Sequence, residues 1–292
     1  MVSPLVIHSS EQGVLTRVGI DVERGGCLTE YATSQGGETH HWLVPAGSEY
    51  PGCFPMVPFC SRIAHGVFQF GGRSVSLPAN DASGTHAIHG HGYQQPWQVL
   101  SQEAHSVTLG YEYMPGAWPW HYRVDQQVSL AGARLTLSMQ VTNLSDEAMP
   151  VGAGIHPFFP KTPRMRIVAN TTQQLRLDEQ GLPVGTQALA EELNITAGLT
   201  LEEKVLDHVF MGWDSLVTIT WPELARALTM RASKECIGLV VWAPQGQDFV
   251  CIEPVSNLPD SFNHRDQPYG AHAVVESKGI YRLTWRFGPD EK

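Results

Sequence analysis

A histidine and a glutamate stand in apolar stretches of this sequence, where their side chains could exchange protons with a ligand. His156 lies inside VGAGIHPFFP, residues 151–160, and Glu253 follows an apolar run in DFVCIEPVSN, residues 248–257. Histidine titrates near neutral pH, and burial raises the pKa of a carboxyl group, which makes it a better proton acceptor. Each stretch taken alone favours the plainer interpretation, which is a hydrogen-bonded core histidine and a carboxylate paired with a nearby cation.

Two further charged groups occupy apolar surroundings. Arg62 is the only charged side chain other than histidine in PGCFPMVPFCSRIAHG, residues 51–66. Because arginine is rarely buried unpaired, it either pins a loop to a carboxylate or holds a polar ligand, and the residues leave both options open. Asp207 precedes His208 and an apolar pair in LDHVFMGWD, residues 206–214. On its own, this aspartate is better explained as a residue that caps a turn.

Three histidines follow each other closely in GTHAIHGHGYQQPW, residues 84–97. His86, His89 and His91 have HxxHxH spacing, which on a strand would place His89 and His91 on the same side. Such a pair could bind a metal ion. A cupin-type metal site also needs a glutamate a few residues later, where this sequence has Gln94, Gln95 and Pro96. A glycine-rich turn or a sugar-binding role is therefore favoured over a metal site.

Several aromatic residues lie in segments rich in proline and glycine, namely Trp97, Trp118, Trp120 and Tyr113. A sugar-binding cleft needs flat apolar surfaces beside hydrogen-bonding groups. The same four side chains could equally belong to the core, and the sequence does not decide between the two.

Composition and charge indicate the general class of protein. The chain has 292 residues, 42% of them hydrophobic and 16% charged, which is typical of a folded globular protein. Its net charge is -10, which disfavours nucleic acid and anionic membrane surfaces as partners. The first residues do not have the pattern of a signal peptide, and no apolar run is long enough to span a bilayer. We therefore expect a cytoplasmic protein that does not act at a membrane.

The cysteines do not indicate a disulfide framework or a structural zinc site. They are odd in number and form no CxxC pair. We expect them to be reduced and mostly buried: Cys27, Cys53, Cys60, Cys236 and Cys251.

Alternation of apolar and polar residues predicts an all-β chain. The segment 122–143 contains two such runs around residues 131–134, which indicates an antiparallel hairpin with one buried face. The same pattern recurs in GIYRLTWRF, residues 279–287, and shorter β-rich runs cover 14–22, 217–221, 227–232 and 239–242. The best helical candidate, 188–193, is short. Because no linker or repeat divides the sequence, we expect residues 1–292 to form a single large β-sandwich domain.

Together, the motifs resemble the aldose 1-epimerase family, whose members are also called galactose mutarotases. In order along the chain they are GCFPMVPFCSRI, HAIHGHG followed by PW, WPW, Asn143, GIHPFFP, LDHVF and CIEPVSN, and they extend from about residue 50 to about residue 260. The resemblance implies the large antiparallel β-sandwich of the galactose mutarotase type, the supersandwich, with few short helices. This agrees with the strand pattern.

The resemblance also implies a role for each candidate residue. His156 matches the general acid of the family and Glu253 its general base, whereas Arg62, His89 and Asp207 match the groups that hold the sugar. The family's reaction opens and closes the sugar ring and so interconverts the α and β anomers of an aldose, without a cofactor or a metal ion.

Two departures from the family pattern are visible. Ser61 precedes Arg62, where an asparagine is common in the family, and the segment AHAVVESKGIYRLTWRF lacks the usual proline-glycine turn.

Three alternatives to a free-sugar mutarotase remain. A hexose-6-phosphate 1-epimerase would share the histidine and glutamate but would need more cations than the motifs supply. A sugar-binding or sugar-sensing protein of the same fold would not need a matched acid and base. A metal-dependent sugar isomerase would need a tightly bound metal ion. We therefore expect an isomerase whose partner is a monosaccharide; the sequence indicates neither the preferred aldose nor the oligomeric state.

Overall fold

Short antiparallel strands make up most of the computed structural model, which describes residues 4–47, 50–202 and 204–289. The strands are β1 (Leu5–Glu11), β2 (Val14–Asp21), β3 (Cys27–Gln35), β4 (Glu38–His41), β5 (Cys53–Met56), β6 (Arg62–Ile63), β7 (Val67–Phe70), β8 (Arg73–Ser76), β9 (Ala87–Ile88), β10 (Gln98–Glu103), β11 (Ser106–Tyr113), β12 (Tyr122–Ala131), β13 (Arg134–Asn143), β14 (Met149–Val151), β15 (Gly154–Pro160), β16 (Arg166–Ala169), β17 (Gln173–Leu177), β18 (Pro183–Ala188), β19 (Leu199–Thr200), β20 (Leu206–Met211), β21 (Leu216–Trp221), β22 (Arg226–Ala232), β23 (Gly238–Ala243), β24 (Phe249–Val255), β25 (Ala273–Val275) and β26 (Ile280–Pro289). The helical segments are 3-10 turns at Ala64–Gly66, Gly92–Gln94, Glu191–Leu193, Pro222–Leu224 and Ser261–Asn263.

Two large sheets contain most of these strands. One has eleven strands in the order β1-β2-β3-β5-β15-β24-β23-β20-β17-β18, with β4 paired to β3 off this path. The other has nine strands in the order β10-β11-β12-β13-β26-β22-β21-β16-β19. All pairings between these named strands are antiparallel, so the predicted all-β fold with large antiparallel sheets and few short helices is confirmed.

The centre of the eleven-stranded sheet is buried on both faces. In β24, Val250 and Ile252 belong to the large hydrophobic core, whereas Phe249 and Cys251 belong to a second, smaller apolar cluster. Because side chains alternate along a strand, Glu253 lies on the same face as the second cluster. This face, which points away from the large core, is the one that positions the candidate site.

The sequence pattern predicted the hairpin well. β12 and β13 pair from Tyr122 opposite Asn143 to Ala131 opposite Arg134, and Gly132 adopts a φ of +58° in the tight turn between them. The four shorter β-rich runs correspond to β2, β21, β22 and β23. The prediction of a helix over 188–193 is wrong for the first half of the segment, because only Glu191–Leu193 forms a 3-10 turn.

Burial places the three tryptophans among the aromatic candidates in the core. Trp97, Trp118 and Trp120 are at most 3% exposed and belong to the large core, while Tyr113 is partly buried and packs against it. The five cysteines are free and buried, as expected. Across the described residues, no helix has the length and apolar character needed to span a membrane. The single-domain assignment stays a prediction.

Candidate active site

Three neighbouring strands bring the predicted site residues together. His156 in β15, Glu253 in β24 and Asp207 in β20 occupy the same face as the smaller apolar cluster, since Phe158, Cys251 and Val209, each two residues from one of them, belong to that cluster. These three strands lie within the contiguous order β15-β24-β23-β20.

All five predicted residues line one cavity of about 250 Å³. Its other lining residues are Ser61, Asn80, Asp81, Ala82, Ile88, Leu177, Val209, Val240, Trp242 and Pro259. The structure therefore groups Arg62, His89, His156, Asp207 and Glu253 around a shared space. Asp207 is the second residue of β20, so the alternative of a turn-capping aspartate is wrong.

His156 and Glu253 contact each other directly. The distance between Nε2 of His156 and Oε1 of Glu253 is 3.2 Å, and the two side chains are only 7% and 3% exposed. The imidazole stacks on Phe54, with ring centroids 4.4 Å apart and planes at 17°, and also contacts Phe158 at 4.9 Å. These rings fix the imidazole plane. Nδ1 of His156 and Oε2 of Glu253 are buried without a hydrogen-bond partner in the described part of the chain.

The apolar surroundings disfavour charge on either member of the pair. Burial lowers the pKa of His156 to about 3 and raises the pKa of Glu253 well above its ordinary value. The Asp207 carboxylate raises the Glu253 pKa further, while the Arg62 guanidinium lowers it. Because the two groups contact each other at 3.2 Å, their titrations are coupled, and burial favours the state in which both are neutral.

A turn places His89 beside this pair. The rings of His89 and His156 are 5.2 Å apart and nearly perpendicular. His89 has a φ of +61°, just after the short strand β9, and Ser61 has a φ of +57°. The backbone N–H of Ser61 donates to Nδ1 of His89 at 3.2 Å, and the His89 N–H donates to the Ser61 carbonyl at 3.1 Å. Because Nδ1 accepts, the neutral imidazole carries its proton on Nε2 and can donate to a ligand.

His89 and His91 do not share one side of a strand, the arrangement that the less favoured metal site would need, and a turn is present instead. Because the chain turns at His89 and Gly90, the side chain of His91 has other partners. Nε2 of His91 lies 2.8 Å from the hydroxyl of Tyr122. His86 accepts a hydrogen bond at Nδ1 from the backbone N–H of His65. Only His89 of the three lines the cavity of about 250 Å³.

Arg62 and Asp207 supply opposite charges on the cavity wall. Burial raises the pKa of Asp207, and the nearby Arg62 and His208 oppose this shift. The Arg62 carbonyl accepts a 2.7 Å hydrogen bond from the backbone N–H of Asp260, which anchors the short strand β6. Gly181 borders the guanidinium so closely that an added Cβ would lie 2.6 Å from Nη1.

Asn257 was not singled out in the sequence, although it ends the motif CIEPVSN. It is 2% exposed, and its Oδ1 accepts a 2.7 Å hydrogen bond from the Cys60 N–H. Its Nδ2 donates to the carbonyls of Cys60 and Leu258 at 3.1 and 3.2 Å. These bonds connect the segment after Glu253 to the turn that contains Ser61. Trp242 was also missed, and its ring lies 6.1 Å from that of His156.

One group of side chains could hold a metal ion. The ligand atoms of His156, Cys251 and Glu253 lie within 4.8 Å of one another, and all three residues are buried. Burial raises the pKa of the Cys251 thiol well above its ordinary value, so the thiol is neutral unless a metal ion displaces its proton. This set includes His156 and Glu253, so a metal ion bound here would occupy both members of the contacting pair.

An antiparallel supersandwich with a buried histidine and glutamate facing a polar cavity is the architecture implied by the motifs. A sequence profile of the aldose 1-epimerase family matches residues 21–282. The chain therefore belongs to the aldose 1-epimerase family.

Similar proteins agree with this assignment. The uncharacterised protein YphB of Escherichia coli K12 is 33% identical over 235 residues, which cover 78% of this chain and 79% of that protein. YihR, an uncharacterised protein of the same organism, is 27% identical over 218 residues, covering 71% and 70%. The crystal structure of a candidate aldose 1-epimerase from Escherichia coli K12 has a TM-score of 0.86 at 26% identity, with 99% of each chain covered. A galactose mutarotase-like protein from Clostridium acetobutylicum has a TM-score of 0.84 at 16% identity, again with 99% of each chain covered, and supports the fold alone.

Proposed function

We propose that this protein is an aldose 1-epimerase that interconverts the α and β anomers of a free aldohexose. The observation that carries the proposal is the buried pair of His156 and Glu253, in contact at 3.2 Å on the wall of a sugar-sized cavity. Anomer exchange requires one group to accept a proton and another to deliver one, which this pair can do at the same time.

Ring opening follows from the positions of the two groups. Glu253, as the carboxylate, takes the proton of the C1 hydroxyl, and the electrons of that O–H bond form the C1 carbonyl. The bond between C1 and the ring oxygen breaks, and the ring oxygen takes its electron pair and a proton from His156. Rotation about the C1 to C2 bond presents the other face of the aldehyde. Ring closure reverses both transfers and restores the starting protonation.

The resting pair contains the one proton that this cycle needs. Burial of the two groups shifts their pKa values in the directions that favour a neutral carboxyl group beside a neutral imidazole. Transfer of that proton across the 3.2 Å contact produces the carboxylate and imidazolium that react. Arg62 favours this transfer, because its charge lowers the pKa of Glu253.

Three further groups are suited to hold the sugar while C1 turns. Nε2–H of His89 is a neutral donor, Asp207 is an acceptor and Arg62 is a cationic donor, and all three line the same cavity as the catalytic pair. Fixing the hydroxyls away from C1 keeps the reacting atoms in place during rotation. We assign substrate binding to these residues.

The charges near the cavity favour a free sugar over a sugar phosphate. A wider cavity of about 910 Å³ adjoins the first one and shares Arg62, Asp81 and Asp207 with it. In this wider cavity, the cationic side chains among the described lining residues are Arg62 and Arg176, whereas four residues are acidic: Asp81, Asp178, Glu179 and Asp207. A phosphate dianion would meet net negative charge there.

Polarimetry with freshly dissolved α-D-galactose and α-D-glucose tests the proposal. In a weakly catalysing buffer with EDTA, the protein should accelerate the decay of optical rotation of at least one free aldose. Hexose 6-phosphates should show a smaller acceleration. Acceleration restricted to the phosphates would establish the phosphate epimerase instead, and binding of free sugars without acceleration would establish a sugar-binding protein.

A further inference from the structure

A second cavity lies across the turn Ala87–His91 from the candidate active site. Its volume is about 380 Å³, within the roughly 300–1,000 Å³ of small-molecule sites. Ile88 and His89 of the turn line the active-site cavity, whereas Ala87, Gly90 and His91 line the second one, and Asn80 lines both. None of the residues assigned above to catalysis or substrate binding lines it.

Fixed aromatic rings form one wall of this second cavity. Tyr111 stacks on Trp97, with centroids 5.7 Å apart and planes at 18°. Tyr113 lies against the ring of His91 at 4.3 Å and against Tyr122 at 5.4 Å. These contacts hold the rings in place before any ligand binds, which reduces the entropy lost on binding.

The polar groups of the cavity are nearly all neutral. Among its described lining residues there is no lysine or arginine, and the one carboxylate, Glu112, contacts His121 at 2.8 Å. Of its three amides, that of Asn80 exchanges two hydrogen bonds with the backbone of Ile88 and that of Gln94 donates to the Tyr93 hydroxyl, which leaves Gln95 for a ligand. Burial lowers the pKa of His91 to about 4, so its imidazole is neutral. Anionic ligands therefore have no cation to pair with here.

Trp118 also lies at the wall of this cavity. It is fully buried, and its indole Nε1–H, which has almost no accessible surface, makes no hydrogen bond within the part of the chain that the structure describes. Aromatic rings beside a neutral amide match the apolar C–H faces and the hydroxyl groups of a pyranose ring.

We propose that this cavity is a second binding site, separate from the catalytic one, for a neutral monosaccharide. The occupant stacks on Tyr111 or Tyr113 and exchanges hydrogen bonds with the amide of Gln95, which is half-buried at the cavity wall. The proposal does not depend on turnover, because the site contains none of the catalytic groups.

Indole N–H signals in two-dimensional ¹H–¹⁵N NMR spectra report on the two cavities separately. Trp118 lines the second cavity and Trp242 lines the active-site cavity, and a Trp118→Phe variant assigns the first signal. Titration uses D-galactose, D-glucose and their methyl glycosides. We expect the Trp118 signal to shift and saturate with at least one of these sugars, with a midpoint different from that of Trp242.

Two variants distinguish binding from a relayed effect. Gln95→Ala should weaken the Trp118 response about 2- to 10-fold, as expected for one lost hydrogen bond, and leave the Trp242 response unchanged. Asp207→Ala should weaken the Trp242 response and leave that of Trp118 unchanged. A Trp118 signal that never moves overturns the second site, and so does one that disappears with Asp207→Ala. If the Trp242 signal did not shift while the Trp118 signal shifted and saturated, the result would contradict the proposed function and leave the second site in place.

Discussion

Replacement of Asn257 by alanine tests how the candidate site is held together. The amide of Asn257 accepts from the Cys60 N–H at 2.7 Å and donates to the Cys60 carbonyl at 3.1 Å, and all of these groups are buried. Alanine leaves the N–H without a partner, which costs about 1–3 kcal/mol, and loses the bonds to the two carbonyls at about 1 kcal/mol each. The free energy of unfolding should therefore fall by about 3–5 kcal/mol.

The same substitution should also reduce activity. Cys60 precedes Ser61, whose N–H holds Nδ1 of His89, and Arg62 follows. Displacement of this turn moves two sugar-binding groups together, so kcat/KM should fall by about tenfold or more. Urea unfolding followed by tryptophan fluorescence measures the stability, and polarimetry at 25 °C measures the activity.

Asn194→Ala is the matched control, because Asn194 is exposed and its Oδ1 accepts one hydrogen bond from the Ala197 N–H. The free energy of unfolding of this variant should fall by about 1 kcal/mol or less, and its activity should equal that of the wild type. If Asn257→Ala were as stable and as active as this control, the amide would not hold the turn, and the positioning argument would be wrong.

Three further outcomes are expected. The pH profile of kcat/KM should show no acid limb near the ordinary pKa of histidine, about 6.5, because burial lowers the pKa of His156 to about 3; such a limb would contradict the assignment of a neutral resting imidazole. His89→Ala should raise KM about 3- to 10-fold with a smaller change in kcat, since it removes a donor to the sugar, and an unchanged KM would remove His89 from the binding site. Gly181→Ala should raise KM as well, because the new Cβ would lie 2.6 Å from Nη1 of Arg62. Thermal unfolding should show a free energy of unfolding lower by about 1 kcal/mol, because alanine is strained at a φ of +74°. A variant with the KM and the stability of the wild type would show that Arg62 has room to move.

Local patterns predicted the parts of the fold that depend on local sequence. The hairpin β12–β13 was predictable because one of its faces is buried, which imposes alternation on residues 122–143. The motifs also indicated His156, Glu253 and Asp207, and alternation within β15, β24 and β20 places the three on one face.

Contacts between distant segments were not predictable. Asn257 and Cys60 are 197 residues apart, and Ser61 and His89 are 28 residues apart, so no spacing rule connects either pair. The positive φ values of Ser61 and His89 also gave no signal, because neither residue is a glycine. For this reason the sequence did not show that the side chains of His89 and His91 diverge.

Exchange spectroscopy on an anomeric mixture tests whether His156 and Glu253 act as the acid and the base. At equilibrium, two-dimensional NMR of [1-¹³C]-labelled galactose or glucose measures the exchange rate between the α and β forms. We expect catalysed exchange in the wild type. Both His156→Ala and Glu253→Gln should lower kcat by about 10²- to 10⁴-fold while sugar binding is retained. Glu253→Gln keeps the shape of the side chain and removes only its ability to accept the proton. Exchange at the wild-type rate in either variant would contradict the assignment of this pair as acid and base.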